Sequence, residues 1–409
     1  MKCGLLGRKL GHSYSPAIHA HLGNYEYGLY EKEQEELEAF LRFGDFTGLN
    51  VTMPYKKVIM AYLDELTPIA KKLGAVNTIV RRNDKLVGHN TDYFGFRHLV
   101  AKSGLSPAGK KCLVLGSGGA SNTAVAVLEE LGAEVVVISR SGQNNYENLH
   151  RHGDAAILVN TTPVGMYPNT GVSPVDLSQF PQLEGVADVI YNPSRTQLIL
   201  EAESRGIPAI SGLPMLVAQA KEAAEWFSGK ALAKSEIDRV YGILQQQMEN
   251  IVLIGMPGCG KSTIGQMLAE KSGKRFVDTD AEIEILANKS IPQIFAEDGE
   301  NVFRTLETQV LETLGKQSGL VIATGGGCVT RQENYPLLHQ NGRIFWLQRS
   351  LEKLPTEGRP LSKNLAEMYA VRAGQYARFA DHIIDNNGIP EKAVAKIGDC
   401  HASVPTGSQ

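Results

Sequence analysis

Three short apolar runs, each ending in glycine and passing into a helical pattern, organise the chain. The first starts at Lys111, where CLVLG ends in GSGGA, a helical stretch follows, and a second apolar run, EVVVIS, closes a βαβ unit. The second starts near Asn250, where NIVLIG runs into MPGCGKST and a helix. The third, LVIATGGG at residues 320–327, is again a strand closed by glycines. Strands alternating with helices in this way predict parallel sheets covered on both faces, so the fold class is α/β. Residues 215–247 read as helical, with MLVAQAKEAAEWF followed by EIDRVYGILQQQ. A domain boundary therefore falls near Gln247, where a helix runs almost directly into a strand and makes a stiff joint. The last residues, HASVPTGSQ, have no periodicity and are expected to fray.

Length changes this picture only by requiring several cores: 409 residues exceed what one core organises, and two or three domains are expected. A net charge of −3 with no Lys/Arg block leaves no electrostatic footprint for nucleic acid or an anionic membrane, which turns attention to small-molecule chemistry. Five cysteines without a CxxC pair suit a reducing compartment. The N-terminus, interrupted by Arg8 and Lys9, has no signal-peptide core, and no apolar stretch reaches spanning length, so a cytoplasmic protein is expected.

A glycine turn between strand and helix lets backbone approach a pyrophosphate, while the helix N-terminus supplies N–H donors. Gly116, Gly118 and Gly119 occupy such a turn, with Ser117 and Ala120 beside them. After the second strand an NAD enzyme wants an acid for the ribose hydroxyl; here the chain reads Ser139-Arg140, and an arginine suits the 2′-phosphate of NADP. Upstream lie HSYSP at 12–16, NVTMPYK at 50–56 and NTD at 90–92, polar clusters able to bind a polyhydroxy acid. Hydride transfer to a ketone needs a proton donor for the new alkoxide, and a lysine beside a carboxylate is competent; Lys56 and Asp92 are the candidates. From spacing alone each would more often be a solvated surface charge.

These clusters, with GAVNT at 74–78, NTTPVGM at 160–166, DVIYNP at 188–193 and GLPMLVAQ at 212–219, resemble the shikimate dehydrogenase family over about residues 1–245. The resemblance implies that Ser13 and Ser15 hold the substrate carboxylate, that Thr52, Asn77, Tyr191 and Gln219 contact its ring hydroxyls or carboxylate, and that Lys56 and Asp92 form the catalytic pair. Val189 and Gly212 join the NADP site by the same resemblance. It also implies a discontinuous substrate lobe, 1–95 with 215–247, and a Rossmann-like NADP lobe over 96–214. The chain departs from the family at Lys9, where a proline is usual, and in the 19 residues between Arg140 and Asn160, too few for a further strand and helix.

From Gly255 to Ser262 the chain matches GxxxxGKS between a strand and a helix, the context a P-loop requires. Backbone N–H groups of Gly258, Cys259 and Gly260 would cradle phosphates with Lys261, Ser262 and Thr263, and the Ser262 hydroxyl would ligate Mg²⁺. Asp278-Thr-Asp280, Phe303-Arg304 with Glu307, Gly325-Gly326-Gly327 and Arg359-Pro360-Leu361 resemble shikimate kinase, a nucleoside-monophosphate-kinase-like fold, within 248–409. By resemblance Asp280 binds the acceptor and serves as base, Asp278 acts on Mg²⁺ through water, Arg304 and Arg372 grip the carboxylate beside Gly325, Gly326 and Gly327, and Arg359 belongs to a lid over ATP.

Together the two resemblances imply NADPH-dependent reduction of 3-dehydroshikimate followed by ATP-dependent phosphorylation of shikimate, with the product of one reaction feeding the other. Two alternatives stand beside this. One is an NAD-dependent quinate or shikimate dehydrogenase, against which Arg140 and the attached kinase argue. The other is a non-catalytic binding module, against which Lys56 and Asp92 argue.

Overall fold

Strand and helix alternate throughout the computed structural model, which describes residues 1–11, 13–354 and 365–402; His12, Arg359 and the last residues of the terminal tail lie outside these. The described chain divides into two compact units. The first comprises residues 1–166, 172–191 and 198–244; the second takes residues 167–171, 192–197 and the chain from Gln245 onward.

The first unit contains two sheets. β1 (Lys2–Gly7), α1 (Ser15–Leu22), β2 (Glu26–Glu31), α2 (Leu37–Phe43), β3 (Gly48–Val51), β4 (Glu65–Leu66), α3 (Pro68–Leu73), β5 (Thr78–Arg82) and β6 (Lys85–His89) form a six-stranded sheet, in the order β2-β1-β3-β5-β6-β4, with its helices. This sheet lies outside the three strand–glycine–helix units and is mixed, because β5 runs antiparallel to both β3 and β6. The β5–β6 hairpin is closed by the two-residue turn Asn83-Asp84, with φ of 48° and 63°. Two left-handed residues are what a tight hairpin between right-twisted strands requires, and Asn and Asp tolerate that conformation.

The second sheet is fully parallel and follows α4 (Asp92–Ser103). It is made by β7 (Lys111–Leu115), α5 (Gly119–Glu130), β8 (Glu134–Ile138), β9 (Ile157–Asn160), β10 (Gly185–Asp188), α6 (Gln197–Ser204) and β11 (Ala209–Ile210), in the order β11-β10-β9-β7-β8. Between β8 and β9 only a 3₁₀ turn, Leu149–His152, is formed, so β8 is the edge of this sheet, as the short spacing requires. α7 (Leu213–Ser228) then packs back against α4, α1, β3 and β5. Small residues permit that approach: Ala218, Ala220, Ala223 and Ala224 are buried, and a side chain at Gly95 of α4 would meet the Met215 carbonyl at 2.8 Å. α8 (Ser235–Met248) leads out of the unit.

The first strand of the second unit follows two residues after α8: β12 (Asn250–Ile254), then α9 (Lys261–Ser272), β13 (Arg275–Asp278), α10 (Thr279–Ala287), α11 (Ile291–Glu297), α12 (Glu300–Gly315) and β14 (Leu320–Ala323). It closes with α13 (Asn334–His339), β15 (Gly342–Gln348), α14 (Leu365–Phe379), β16 (His382–Asp385) and α15 (Pro390–Ala402). All five strands are parallel, in the order β13-β14-β12-β15-β16. Val252, Leu253, Val321, Ile322, Ile344 and Phe345 are wholly buried, as expected of strands covered on both faces.

Each unit holds one of the two tryptophans, Trp226 on α7 and Trp346 on β15. A Cβ at Gly212 would lie 2.0 Å from the Val189 carbonyl oxygen, so backbone must yield to any side chain there. In a Trp346→Phe background, Gly212→Ala is expected to lower the denaturant midpoint reported by Trp226 fluorescence, by about 1–3 kcal/mol of overpacking. An unchanged midpoint would contradict this packing.

Candidate active sites

Pairing in the first sheet brings distant segments together. Asn77 enters β5, and its neighbour Thr78 is registered with His89 at the end of β6, so Asn77 lies beside Asn90, Thr91 and Asp92. Lys56 arrives from the far end of β3, and its carbonyl accepts the Val76 N–H at 2.7 Å. The Lys56 Nζ donates to Asp92 Oδ2 at 2.7 Å, with side chains 27% and 15% exposed. The other carboxylate oxygen accepts Asn77 Nδ2 at 2.9 Å, and Asn77 Oδ1 accepts the Thr91 N–H at 2.7 Å. Asp92 also opens α4, where the helix dipole favours a negative charge. The carboxylate is thereby fixed from three directions, and it holds the ammonium half-buried.

Gln219 on α7 joins the same network: its Oε1 accepts the Thr91 hydroxyl at 3.2 Å, and its Nε2 donates to the Leu216 carbonyl at 3.0 Å. Residue type alone did not single out Asn50 and Tyr27, yet both belong here. Asn50 Nδ2 donates to Thr78 Oγ1 at 3.2 Å, and Asn50 Oδ1 accepts the Tyr27 hydroxyl at 2.8 Å. Tyr27 also meets the Ser15 side chain, and burial holds its phenol well above the usual range. His19 stacks on Tyr27 at 4.1 Å between ring centres; burial pushes its pKa down to about 3, so the imidazole stays neutral. The Ser13 hydroxyl oxygen accepts the Ser15 N–H at 3.2 Å, and the Thr52 N–H donates to Leu6 at 3.0 Å. Tyr191 packs edge-on against Tyr14 at 5.9 Å. Among the described residues Ser13, Thr52 and Tyr191 do not bond to the Lys56–Asp92 pair.

At the second sheet, Gly116 has φ 110°, and its Cβ would come within 2.8 Å of Thr161 Oγ1. A positive φ of this size, with a side chain already where a Cβ would go, favours glycine. Cβ atoms at Gly118 and Gly119 would meet nothing within 4 Å, so the protein itself does not demand glycine there. Open backbone at the start of the twelve-residue α5, with Ser117 exposed and Ala120 in the first turn, fits a diphosphate held by N–H donors. Arg140 is exposed just past β8, two residues beyond Ile138, with no acid in Ser139-Arg140-Ser141; this suits a 2′-phosphate. Ser139 is tied back by its N–H to the Asn144 carbonyl at 3.1 Å. Val189 donates to the Asn160 carbonyl at 3.0 Å. Gly212 differs from the other cofactor candidates: its want of a side chain is explained by packing on Val189.

In the second unit the P-loop runs from β12 into α9. Gly260, at φ 98°, turns the chain so that Lys261 starts the helix. The buried Lys261 Nζ donates to the carbonyls of Gly255 at 2.9 Å and Met256 at 3.1 Å. Ser262 Oγ donates to Asp278 Oδ2 at 2.7 Å, while Asp278 Oδ1 caps α10 by accepting the Asp280 N–H at 3.0 Å. This hydroxyl and carboxylate are the pair that would hold Mg²⁺, which keeps most of its ligands as water and phosphate. A cavity of about 1340 Å³ joins the P-loop to Asp280, Arg304, Gly325, Gly326, Gly327 and Arg372.

Asp280 Oδ1 and Glu307 Oε1 are buried with no hydrogen-bond partner among the described residues, and a Cβ at Gly325 would lie 2.9 and 2.8 Å from them. Two orphaned carboxylate oxygens facing one glycine await hydroxyl donors from a ligand. Burial, reinforced by Asp278, raises the Asp280 pKa; burial raises that of Glu307. Arg304 Nη1 donates to Glu307 Oε2 at 2.9 Å, and Arg304 Nη2 pairs with Glu300 at 3.1 Å. Arg372 Nη1 donates to the Gly326 carbonyl at 3.1 Å. Gly326 is constrained, since a side chain there would meet the Pro257 ring at 2.7 Å and its backbone nitrogen at 3.0 Å; at Gly327 a side chain would meet the Arg304 guanidinium at 2.3 Å and displace it. Arg349, which lines the same cavity, was not among the residues picked out by motif.

A fixed lysine–carboxylate pair beside a dinucleotide turn, and a P-loop beside a pocket of carboxylates and arginines, define an α/β oxidoreductase unit joined to a phosphotransferase unit. The family model described as Shikimate dehydrogenase substrate binding domain matches residues 5–79, and that described as Shikimate kinase matches residues 257–401. A Shikimate dehydrogenase (NADP(+)) of Clostridium perfringens is 35% identical over 261 residues, 58% of this chain and 96% of that protein. Among solved structures, Shikimate Dehydrogenase 1 of Peptoclostridium difficile is 37% identical with a TM-score of 0.56, covering 60% of this chain and 97% of that one. A chorismate mutase/shikimate 5-dehydrogenase fusion protein of Clostridium acetobutylicum is 33% identical with a TM-score of 0.58, covering 60% of this chain and 97% of that one. The chain belongs to the shikimate dehydrogenase family and carries a shikimate kinase domain at its C-terminal end.

The raised pKa of Asp280 sets a sign for stability. A carboxyl whose folded pKa exceeds its unfolded value, near about 3.9, favours folding fully below that value and loses the contribution as pH rises through the folded pKa. Asp280→Asn, which removes the buried charge, is therefore expected to stabilise the ligand-free second unit at neutral pH, with the gain shrinking toward acid pH. Denaturation followed by Trp346 fluorescence in a Trp226→Phe background measures this; a gain larger in acid than at neutrality would contradict the burial account.

Proposed function

We propose that the protein is a bifunctional enzyme of the shikimate pathway, leading to the aromatic amino acids, that reduces 3-dehydroshikimate to shikimate with NADPH and phosphorylates shikimate to shikimate 3-phosphate with ATP. The observation carrying the first activity is the 2.7 Å Lys56–Asp92 pair, clamped by Asn77 and tied through Thr91 to Gln219. NADPH supplies the hydride when bound. The chain's part is to orient the ketone and deliver a proton. Lys56 Nζ donates that proton to the developing alkoxide, and Asp92 holds the ammonium in line. Ser13 and Ser15 take the carboxylate; Thr52, Asn77, Tyr191 and Gln219 take the remaining oxygens. Gly116, Ser117, Gly118, Gly119 and Ala120 receive the diphosphate, Ser139 and Arg140 the 2′-phosphate, with Val189 and Gly212 shaping the site.

In the second unit, Asp280 accepts the acceptor hydroxyl's proton as that oxygen attacks the terminal phosphoryl group. Its raised pKa supports that reading, because the carboxylate becomes a better base as it is desolvated. Arg304 and Arg372 hold the carboxylate, Lys261 follows the transferring phosphoryl group, and Ser262 with Asp278 hold Mg²⁺, which offsets the charge gathered there. The partners are small molecules. The free cysteines and the want, among the described residues, of a helix long and apolar enough to cross a membrane support a cytoplasmic site of action.

Separate point variants test the division of labour. Lys56→Ala is expected to lower hydride transfer by about 100-fold or more, the scale of general-acid catalysis, while phosphorylation of added shikimate persists. Lys261→Met should do the reverse. Reduction at the wild-type rate by Lys56→Ala would overturn the assigned proton donor.

A further inference from the structure

Sheet order divides the kinase site. β12 leads into the P-loop at the centre; on one side β13 ends in Asp278 and leads into Asp280, and β14 leads into Gly325, the residues proposed for the acceptor. On the other side β15 and β16 lead into Arg349 and Asn386. The acceptor side is therefore taken, and the remaining flank of the P-loop is left for the nucleoside end of the donor.

Arg349 stands on that flank in a fixed position. The Gln348 carbonyl before it accepts the Asn386 N–H at 2.8 Å, and the Ser350 N–H after it donates to Asn387 Oδ1 at 2.9 Å. Asn386 in turn ties this pair of strands to the P-loop, its Nδ2 donating to the Cys259 carbonyl at 2.6 Å. A Cβ on Gly260 would lie 4.0 Å from Arg349 Nη1, so the guanidinium sits at the very turn that precedes Lys261. Yet Arg349 Nε is buried without an acceptor, and among the described residues the guanidinium makes no ion pair. A buried donor left unsatisfied on a clamped backbone, in a cavity built for phosphates, calls for an acceptor from outside the chain.

We propose that Arg349 is a nucleotide-binding residue of the kinase site, its guanidinium donating to the phosphates nearest the nucleoside while Lys261 serves the terminal one. A planar fork of donors matches phosphate oxygens in two places at once, which an ammonium cannot do. This rests on the phosphotransferase reading, and binding of ADP measured without an acceptor separates the two.

The experiment uses the full chain with Mg²⁺. Calorimetric titration with ADP and steady-state KM for ATP are compared in wild type, Arg349→Met and Arg349→Lys, with dehydrogenase activity as the folding control. Loss of charge-assisted hydrogen bonds predicts about 10- to 100-fold weaker ADP and a matching rise in KM for ATP in Arg349→Met, KM for shikimate unchanged, and partial recovery in Arg349→Lys. Unchanged ADP affinity in Arg349→Met overturns the proposal, as does a rise confined to KM for shikimate. A wild type that binds ADP through Arg349 but phosphorylates no shikimate would sink the kinase reading and leave this one standing.

Discussion

Parallel strands all end on the same side of their sheet, and each must be left by a turn that reverses the chain into a helix. That constraint places β7 and β12 of this protein in one geometry, a strand, a glycine turn and helix N–H groups at the strand end, while β14 passes through its glycines into a 3₁₀ turn. Anionic ligands follow from it, because unsatisfied helix donors and the dipole favour negative charge. Gly116 in the first turn, and Gly255, Gly258 and Gly260 in the second, take the positive φ that makes these turns possible. The side chains around them then decide which anion is held and what is done to it.

Electrostatics separates the two sites. At Lys56–Asp92 a partly buried pair is compensated within the chain: both carboxylate oxygens have donors, and the ammonium has its counter-ion. The cost of removing such charges from water is offset by those contacts, and the site is preorganised before a ligand arrives. In the kinase unit the opposite holds. Asp280, Glu307 and Arg349 keep buried polar atoms without partners among the described residues, so the cavity is incomplete without ligands. Ligand binding there should stabilise the unit as well as start the chemistry.

The sequence made the βαβ units and the P-loop legible, since local patterns determine them: apolar runs, glycine turns and helix starts. The short connection after β8 was legible too, being a matter of chain length. The antiparallel hairpin does not show in strand–helix alternation, because its only local signal is the two-residue turn Asn83-Asp84. Sites proved harder. Asn77, Asp92 and Gln219 come together only through strand register and the return of α7, which no local pattern encodes. Tyr27 and Asn50 are ordinary strand residues until their side chains are seen to bond. Arg349 belongs to no motif, and its interest lies in what it lacks. Gly212 is a motif glycine that packing on Val189 by itself accounts for.

The central claim is that one chain performs two consecutive reactions. Its most direct test is a mass-spectrometric time course of the wild-type protein with 3-dehydroshikimate, NADPH, ATP and Mg²⁺, quantifying shikimate and shikimate 3-phosphate together. The account predicts that shikimate appears first and is converted to its phosphate. Persistence of 3-dehydroshikimate while added shikimate is phosphorylated would contradict it, and would mean that the short cofactor sheet no longer supports hydride transfer.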